Sequence, residues 1–532
     1  MINPLDSFNP FTGRWIARIG PSIICQGGSP DQVSRAAKSI RGKERFIISY
    51  IPLTDIMAFP PLFYEIQEIL ATETGVYLVG GAVRNALLNQ QANDLDFVIV
   101  SNVEKIARKV SHELHTDFYP LDAVREAYRL VFTNQNSDIQ YLDFSRIRGT
   151  TIDSDLLGRD FTINAMAVNI NDPQKLIDPL GGAQDLRDKI IKACCSSSIT
   201  DDPIRVLRAI RLAAEGNYKI AEETRKQLKI GVPLLEFSSA ERKRDELFKI
   251  AALDQVSVAF RALDWLGVFS VLFPEIKLST NSDLLQQKVD FQTKMDFSSS
   301  GEIVQLINSI TRKNDSTDHG SLLYGIAGSV LDKYRLELRT YLIQKFTPDR
   351  NISQLLHIGN LINLLQKTST KPEEFGLKNI KSMNLSREET HFITILTKFY
   401  DSLEKVLNGN DSLTRRDAYQ FFKVNGSAGI AATILYLGNY LASHKQDIGS
   451  EKWRSLLEKI EFLWEAWWNN KSEIVDPIPF LNGDEIAKEF ELIPGEIIGK
   501  CLDFLKEEQA AGLIKTRSDA ILRIRETIKK MG

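Results

Sequence analysis

Cysteine is scarce in this chain of 532 residues: Cys25, Cys194, Cys195 and Cys501 are the only four. No Cys-x-x-Cys occurs and one pair is adjacent. That argues against a disulfide framework or a zinc knuckle and fits a reducing compartment. Long apolar runs are missing too. No stretch approaches the ~20 residues that a membrane span needs. The opening MINPLDSFNPFTGRW lacks the basic-then-apolar pattern of a signal peptide. Together these absences predict a soluble, cytoplasmic protein with no membrane partner. Strong net charge is also lacking, because 66 Lys and Arg against 69 Asp and Glu leave −3. Any nucleic-acid contact must therefore rest on a local basic patch.

What is present is ordinary globular material, 43% hydrophobic and 25% charged. At ~100–200 residues per domain the length predicts roughly three or four units. Residues 1–58 read as a small ββαβ unit. RWIARIG, PSIICQGG and RFIISYIP are its strands, and SPDQVSRAAKSI is a helix with Ser29 and Asp31 as caps. A helix over PPLFYEIQEILATET follows. Strands and helices then alternate from Val76 to about Ile191, with RLVFTNQ and IQYLDFS as a hairpin. From about Asp201 apolar residues recur every three to four positions, which is helical spacing. The expected division is a head at 59–195, a helical neck at 196–262, a helical body at 263–475 and a helical tail at 476–532. Linkers are expected near Asp296–Gly301, Asn408–Ser412 and Asp476–Pro479.

Two features of the head carry chemistry. Gly80 and Gly81 end a strand and open a helix, where backbone amides and a helix N-terminus suit a phosphate. Arg84, one turn on, brings a forked guanidinium to the same place. Asp94 and Asp96 stand two apart at the start of an apolar strand, so both face one side. Paired carboxylates repel unless a cation neutralises them, and Mg²⁺ takes oxygen ligands. Two such ions activate an attacking 3′-hydroxyl and stabilise the leaving pyrophosphate in nucleotidyl transfer. Asp143, on a later strand in YLDFSR, is either a third ligand of this metal site or an anchor for its strand end.

GVYLVGGAVRNALLNQQANDLDFVIV, from Gly75 to Val100, resembles the first motif of the class II tRNA nucleotidyltransferase (CCA-adding and CC-adding) and bacterial poly(A) polymerase family. The resemblance implies an α+β fold: an α/β head like that of polymerase β nucleotidyltransferases, then a long all-α neck, body and tail. It also implies two Mg²⁺ ions, CTP and ATP as substrates and tRNA as partner. Asn85 replaces the family's usual Asp. LLGRDFTINAMAVNI resembles the second motif and implies that Arg159 and Asp160 lie by the ribose and phosphates, with Asn164 supporting them. Gly158 stands where the family often has a first arginine. DDPIRVLRAIRLAA resembles the motif that reads the incoming base, with Asp201 replacing a common Glu. There a carboxylate accepts from an exocyclic amino group and an arginine donates to an adjacent ring atom. Asp202 and Arg205 would thus select C and A without a template. Arg208 and Arg211 continue the stripe, either as nucleotide-phosphate or structural contacts or as a solvated charged face. SSAERKRDELFKI resembles the next motif, with Ser239 as a helix cap and Glu241 bracing the base-reading helix.

The tail from Phe480 to Ala520 also resembles the family's C-terminus, and Pro494-Gly495 before a helix offers amides to a tRNA phosphate or simply starts a helix. Many relatives carry a metal-binding His-Asp pair in the middle. Here Tyr324-Gly325 takes that place, and none of the six histidines (112, 115, 319, 357, 391, 444) precedes an Asp. A helical remnant without hydrolase activity is expected. Trp464, Trp467 and Trp468 have the spacing of a core stripe, with stacking on RNA bases as the alternative. Little room for a long flexible loop remains between YLDFSR and LLGRDF. That resembles the CC-adding arrangement, in which a separate A-adding enzyme acts in sequence. Full CCA addition, A-only addition and poly(A) synthesis remain open. So do a silent RNA-binding relative and a small-molecule nucleotidyltransferase.

Overall fold

The structure, a computed structural model, describes residues 14–531 except 21, 29, 42–43, 52–56, 93, 134–138, 275–295, 312–321, 349, 368–371, 399–402, 404–405, 408–411, 445–446 and 494. Ser29, His319, Pro494 and most of the linker expected at 408–412 therefore lie outside the described residues. Chain contacts divide the protein into two compact units, Met1–Ser238 and Ser239–Gly532. The boundary falls inside the segment expected to form the neck.

The first unit opens with strands β1 (Arg14–Ile19) and β2 (Ser22–Gly27), helix α1 (Pro30–Arg41) and strand β3 (Ile47–Ile51). The strands form an antiparallel sheet in the order β2-β1-β3, and Val33 and Ala37 of α1 bury against Ala17 of the central strand. This sheet is seated closely on the rest of the unit. A Cβ on Gly28 would lie 2.3 Å from the Cα of Pro179. The Arg14 guanidinium donates to the Asp178 carbonyl at 3.2 Å and lies 3.5 Å from its fully buried carboxylate.

Helix α2 (Pro61–Ile69) leads into the main sheet. Its strands are β4 (Val76–Val79), β5 (Leu95–Ile99), β6 (Asp117–Asp122), β7 (Ala127–Thr133), β8 (Ile139–Arg146), β9 (Ala167–Asn169) and β10 (Asp172–Ile177). They pair in the order β10-β9-β4-β5-β8-β7-β6. Helix α3 (Gly81–Leu87) joins β4 to β5, and α4 (Val103–Glu113) packs on β6, β7 and β8 with Val103, Ile106, Ala107 and Val110 buried. β5 and β8 are parallel neighbours, and their Phe97 and Phe144 rings stack at 5.1 Å. A strand covered on both faces reads as continuously apolar; Leu95, Phe97, Val98 and Ile99 obey this and Asp96 alone breaks it. β6 has no sequence signal because Pro120 interrupts it. Proline removes a ladder donor and is tolerated on an edge strand, and β6 is the edge.

After β8 come α5 (Ile152–Leu157), α6 (Gly182–Arg187), the short α7 (Ser198–Asp201), α8 (Arg205–Gly216) and α9 (Glu222–Leu234). The α+β class, a polymerase-type head followed by helical structure, is what the fold displays.

The second unit is helical. Helix Ala428–His444 is buried almost all round, as expected of a helix at the centre of a bundle. Trp464, on helix Ser450–Trp468, is fully buried and donates its indole N–H to Thr433 Oγ1 at 2.9 Å. The linker expected at Asp296–Gly301 is instead the start of helix Ser298–Thr311. Ser299 and Ser300 are interior: Asn360 Nδ2 donates to Ser299 Oγ at 3.1 Å and to Ser300 Oγ at 2.9 Å. A run of small polar residues reads as a linker in sequence, yet it also suits close helix packing when a buried amide satisfies the hydroxyls. The last three helices, Gly483–Glu489, Glu496–Ala510 and Arg517–Met531, close on their own core of Ile486, Cys501, Leu505 and Ile524. Among the described residues no helix is long and apolar enough to cross a membrane.

The tightest approach to backbone in the first unit is at Gly182, where an added Cβ would stand 2.0 Å from the Thr162 carbonyl oxygen. Overpacking against backbone costs more than against a movable side chain. Gly182→Ala should lose about 3 kcal/mol of stability, read as a lower urea midpoint. An unchanged midpoint would show that the α6 contact yields freely.

Candidate active site

The site is built where β4, β5 and β8 run side by side. Val79 pairs with Asp96, and Asp96 with Asp143 on the next strand. β4 then ends at Gly80, which takes a left-handed φ of +75° and so favours glycine. A Cβ there would sit 3.3 Å from Arg159 Nη1 and 3.6 Å from Asp96 Oδ2. A guanidinium and a carboxylate thus both close on the turn at this glycine. Gly81 follows as the first residue of α3.

Asp96 is open to solvent although its neighbours on β5 are buried. Desolvation by the surrounding protein raises its pKa, Asp143 and Asp94 raise it further, and Arg159 and Arg208 act against them. The carboxylate therefore sits in a field that favours an added cation. Asp94 is exposed and accepts from the Tyr141 amide at 3.4 Å. Asp143 has a partner within the sheet. Arg129, opposite it on β7, holds both its oxygens, at 2.7 and 2.8 Å. Among the described residues no three His, Cys, Asp or Glu converge as a metal site. Asp94 and Asp96 remain, and a pair of carboxylates fits Mg²⁺, which commonly takes one or two of them and completes its shell with water and phosphate oxygens.

A second group of predicted residues forms one connected network. Asp160 is buried. It accepts from the Phe161 amide at 2.7 Å and from Asn164 Nδ2 at 3.2 Å, and pairs with Arg208 Nε at 2.6 Å. Burial alone would raise its pKa, but Arg208, these hydrogen bonds and Arg205 outweigh burial and hold it below the usual carboxylate range. Asn164 is an amide relay: its Oδ1 accepts from Arg84 Nη1 at 2.7 Å while its Nδ2 donates to Asp160. Arg84 also donates to Asn85 Oδ1, at 3.3 Å from Nε and 3.1 Å from Nη2. Asn85, the departure from the family pattern, thus orients the arginine it follows. Burial lowers the Arg84 pKa, but a guanidinium stays charged in any protein environment.

Arg205 is committed to backbone. Its Nη1 donates to the carbonyls of Arg159 and Ser198, each at 3.0 Å, and its Nη2 to that of Gly158 at 2.9 Å. Its Nε lies 4.0 Å from Asp202 Oδ2. Arg211 points to Glu215, at 3.3 Å, on its own helix. Arg208 and Arg211 therefore differ in role despite equal spacing. Ser239 caps the helix Ala240–Ala251, and Glu241 accepts from Asn384 Nδ2 at 2.9 Å within the second unit.

Sequence reasoning missed Asp155, which is buried, pairs with Arg159 Nε at 3.0 Å and accepts from the Arg148 amide at 3.0 Å. An acid four residues before a base, the spacing of one helical turn, was the available signal. It also missed Arg129, whose pairing depends on strand register and has no local signature.

Comparison with known proteins accords with this geometry. Residues 76–192 match the Poly A polymerase head domain family, and residues 217–279 match the probable RNA and SrmB-binding site of polymerase A. The chain carries a polymerase head domain followed by a helical C-terminal part. More particularly, it is 38% identical over 199 residues to the CC-adding tRNA nucleotidyltransferase of Geobacter sulfurreducens, covering 37% of this chain and 45% of that one. It is 34% identical over 178 residues to the A-adding tRNA nucleotidyltransferase of Aquifex aeolicus, covering 32% and 22%. The chain thus spans less than half the length of these relatives. A solved CCA-adding enzyme in complex with ATP shares the fold, with a TM-score of 0.57 and 22% identity over 88% of this chain and 95% of that one.

The raised pKa of Asp96 has a consequence for stability. A carboxyl whose pKa is higher folded than unfolded binds its proton more tightly in the native state. Its contribution is present at low pH and is lost as pH rises from the unfolded value, about 4, through the raised folded value. Asp96→Asn should therefore raise Tm at neutral pH, with the gain shrinking on acidification. A neutral-pH Tm below that of the unaltered protein would show that Asp96 is held by favourable partners.

Proposed function

We propose that this protein is a tRNA nucleotidyltransferase that adds C, or C and A, to a tRNA 3′ end from CTP and ATP without a nucleic-acid template. The observation that carries this reading is the approach of both the Arg159 guanidinium and the Asp96 carboxylate to the turn at Gly80. It suits a triphosphate whose charge needs cations on one side and metal on the other. Asp94 and Asp96 are the metal ligands in this reading. Mg²⁺ bound there would supply Lewis-acid activation of the 3′-hydroxyl and stabilise the leaving pyrophosphate. The Gly80-Gly81 turn receives phosphate oxygens at the start of α3. Arg159, held by Asp155, and Arg208, held by Asp160, set positive charge beside Asp96. Arg84 is fixed by Asn164 and Asn85 to face the same phosphates.

Asp202 acts as acceptor for the exocyclic amino group shared by cytosine and adenine. Arg205 contributes mainly by fastening the start of α8 to residues 158, 159 and 198. Asp143, neutralised by Arg129, shapes the local field. Arg211 is a support within α8.

CC addition is the preferred form of the reaction. The segment after β8 is short and tied: the Ile147 amide donates to the Ile99 carbonyl at 3.0 Å, Ser154 Oγ donates to the Arg148 carbonyl at 2.9 Å, and Thr151 and Ser154 form a reciprocal cap at the start of α5. A segment held this way is poorly suited to reshaping a pocket from C to A. A second enzyme would then add the terminal A.

Labelled CTP and ATP, alone and together, offered with tRNAs ending at the discriminator base, at C and at CC, test both levels. CTP-only incorporation is expected, lost on chelation of Mg²⁺ and reduced at least about a thousandfold in Asp94→Ala/Asp96→Ala. One A after CC would make the protein a complete CCA enzyme. No metal-dependent incorporation at all would end the proposal.

A further inference from the structure

The helical unit contains a hollow of about 610 Å³ that no step of nucleotidyl transfer uses. Its size lies within the roughly 300–1,000 Å³ usual for small-molecule sites. Trp467, Trp468 and Tyr341 line it, with Glu337 and Lys471 among its polar groups. The aromatic walls are braced from behind: Phe422 packs 4.9 Å from Trp467, and Tyr334 packs 5.3 Å from Trp468. The Tyr341 hydroxyl is already satisfied, donating to the Ser427 carbonyl at 2.6 Å and accepting from the Ala431 amide at 3.2 Å. It serves as wall and not as ligand.

Two observations point to an occupant. First, Glu337 Oε2 is buried with no hydrogen-bond donor among the described residues. A buried acceptor without a partner costs free energy until a donor arrives. Second, the Lys471 ammonium stands 4.5 Å from the Trp467 ring centroid. This lysine opens a π-helical turn, Lys471–Val475, a geometry concentrated at functional sites. The cation and the aromatic face are therefore both at the hollow, beside a carboxylate that lacks a donor.

We infer that this hollow binds an unpaired, amino-bearing nucleobase of an RNA strand. The base packs on the tryptophan surface, its exocyclic amino group donates to Glu337 Oε2, and Lys471 meets the adjoining phosphate. Cytosine and adenine carry that amino group and uracil carries a carbonyl in its place, so the site discriminates against uracil. Aromatic stacking with a neighbouring cation is the usual chemistry of single-strand binding. The inference rests on the reading that RNA is the substrate class, but it concerns a separate site with a separate readout.

Anisotropy of 5′-labelled rC6 and rU6 tests it with the full chain in EDTA, where no transfer occurs. An Asp202→Ala background keeps the base acceptor of the head out of the comparison. The two hexamers stack comparably and differ at the 4-position, amino against oxo, and at N3, acceptor against donor. We expect rC6 to bind about tenfold more tightly than rU6, the scale of one base contact. Glu337→Leu should erase that preference and Lys471→Ala should weaken both hexamers together. Both side chains lie at the hollow and outside the nucleotide site, so CTP incorporation into tRNA should keep its turnover number. Equal binding of rC6 and rU6, or a preference that survives Glu337→Leu, overturns the inference. Failure of the transferase reading would appear instead as absent metal-dependent incorporation, which the hexamer measurement does not involve.

Discussion

Asp160 is the group on which Arg208 and Arg84 depend. It is a buried carboxylate, and a buried charge survives only with partners that restore what water supplied. Its partners come from three places in the chain: the Phe161 amide next to it, Asn164 four residues on, and Arg208 on α8. Through Asn164 it also fixes Arg84 on α3. Motifs separated by many residues thus act as one positively charged surface because a single negative centre binds them. The arrangement is costly if incomplete, since removing one partner leaves the rest buried and uncompensated.

Asp96 obeys the opposite logic. Its neighbours on the strand are buried, its nearest carboxylates are like-charged, and its pKa is raised. One aspartate is satisfied by the chain and the other is left wanting a cation. The relatives that match this head include CC-adding and A-adding enzymes. Among those relatives the shared head goes with nucleotide addition, while the nucleotide added differs.

Much of this was legible in the sequence for definite reasons. The Gly-Gly turn, the two-residue spacing of Asp94 and Asp96 and the change from alternating to helical periodicity are local signals, and local signals survive in one dimension. The partners were not legible where they depend on register or on loops. Arg129 meets Asp143 only because β7 and β8 align those positions. The hold of Arg205 on three carbonyls could not be read, because backbone acceptors have no residue identity. Ser299 and Ser300 misled for a related reason: small hydroxyl residues look alike whether water or Asn360 satisfies them.

The docking of the first sheet carries its own implication. Asp178 has a fully buried carboxylate that accepts from the Gly182 amide at 2.7 Å and the Ala183 amide at 3.1 Å, and Arg14 is the cation beside it. Gly28 lies against the backbone of residues 178 and 179 with no space for a side chain. The opening strands are therefore not a detachable ornament on a self-sufficient catalytic unit. A shortened protein beginning at the main sheet would expose the seat of Gly28 and strand a negative charge in its interior. Modularity in sequence and independence in space are different properties here, and a boundary drawn from the first does not guarantee the second.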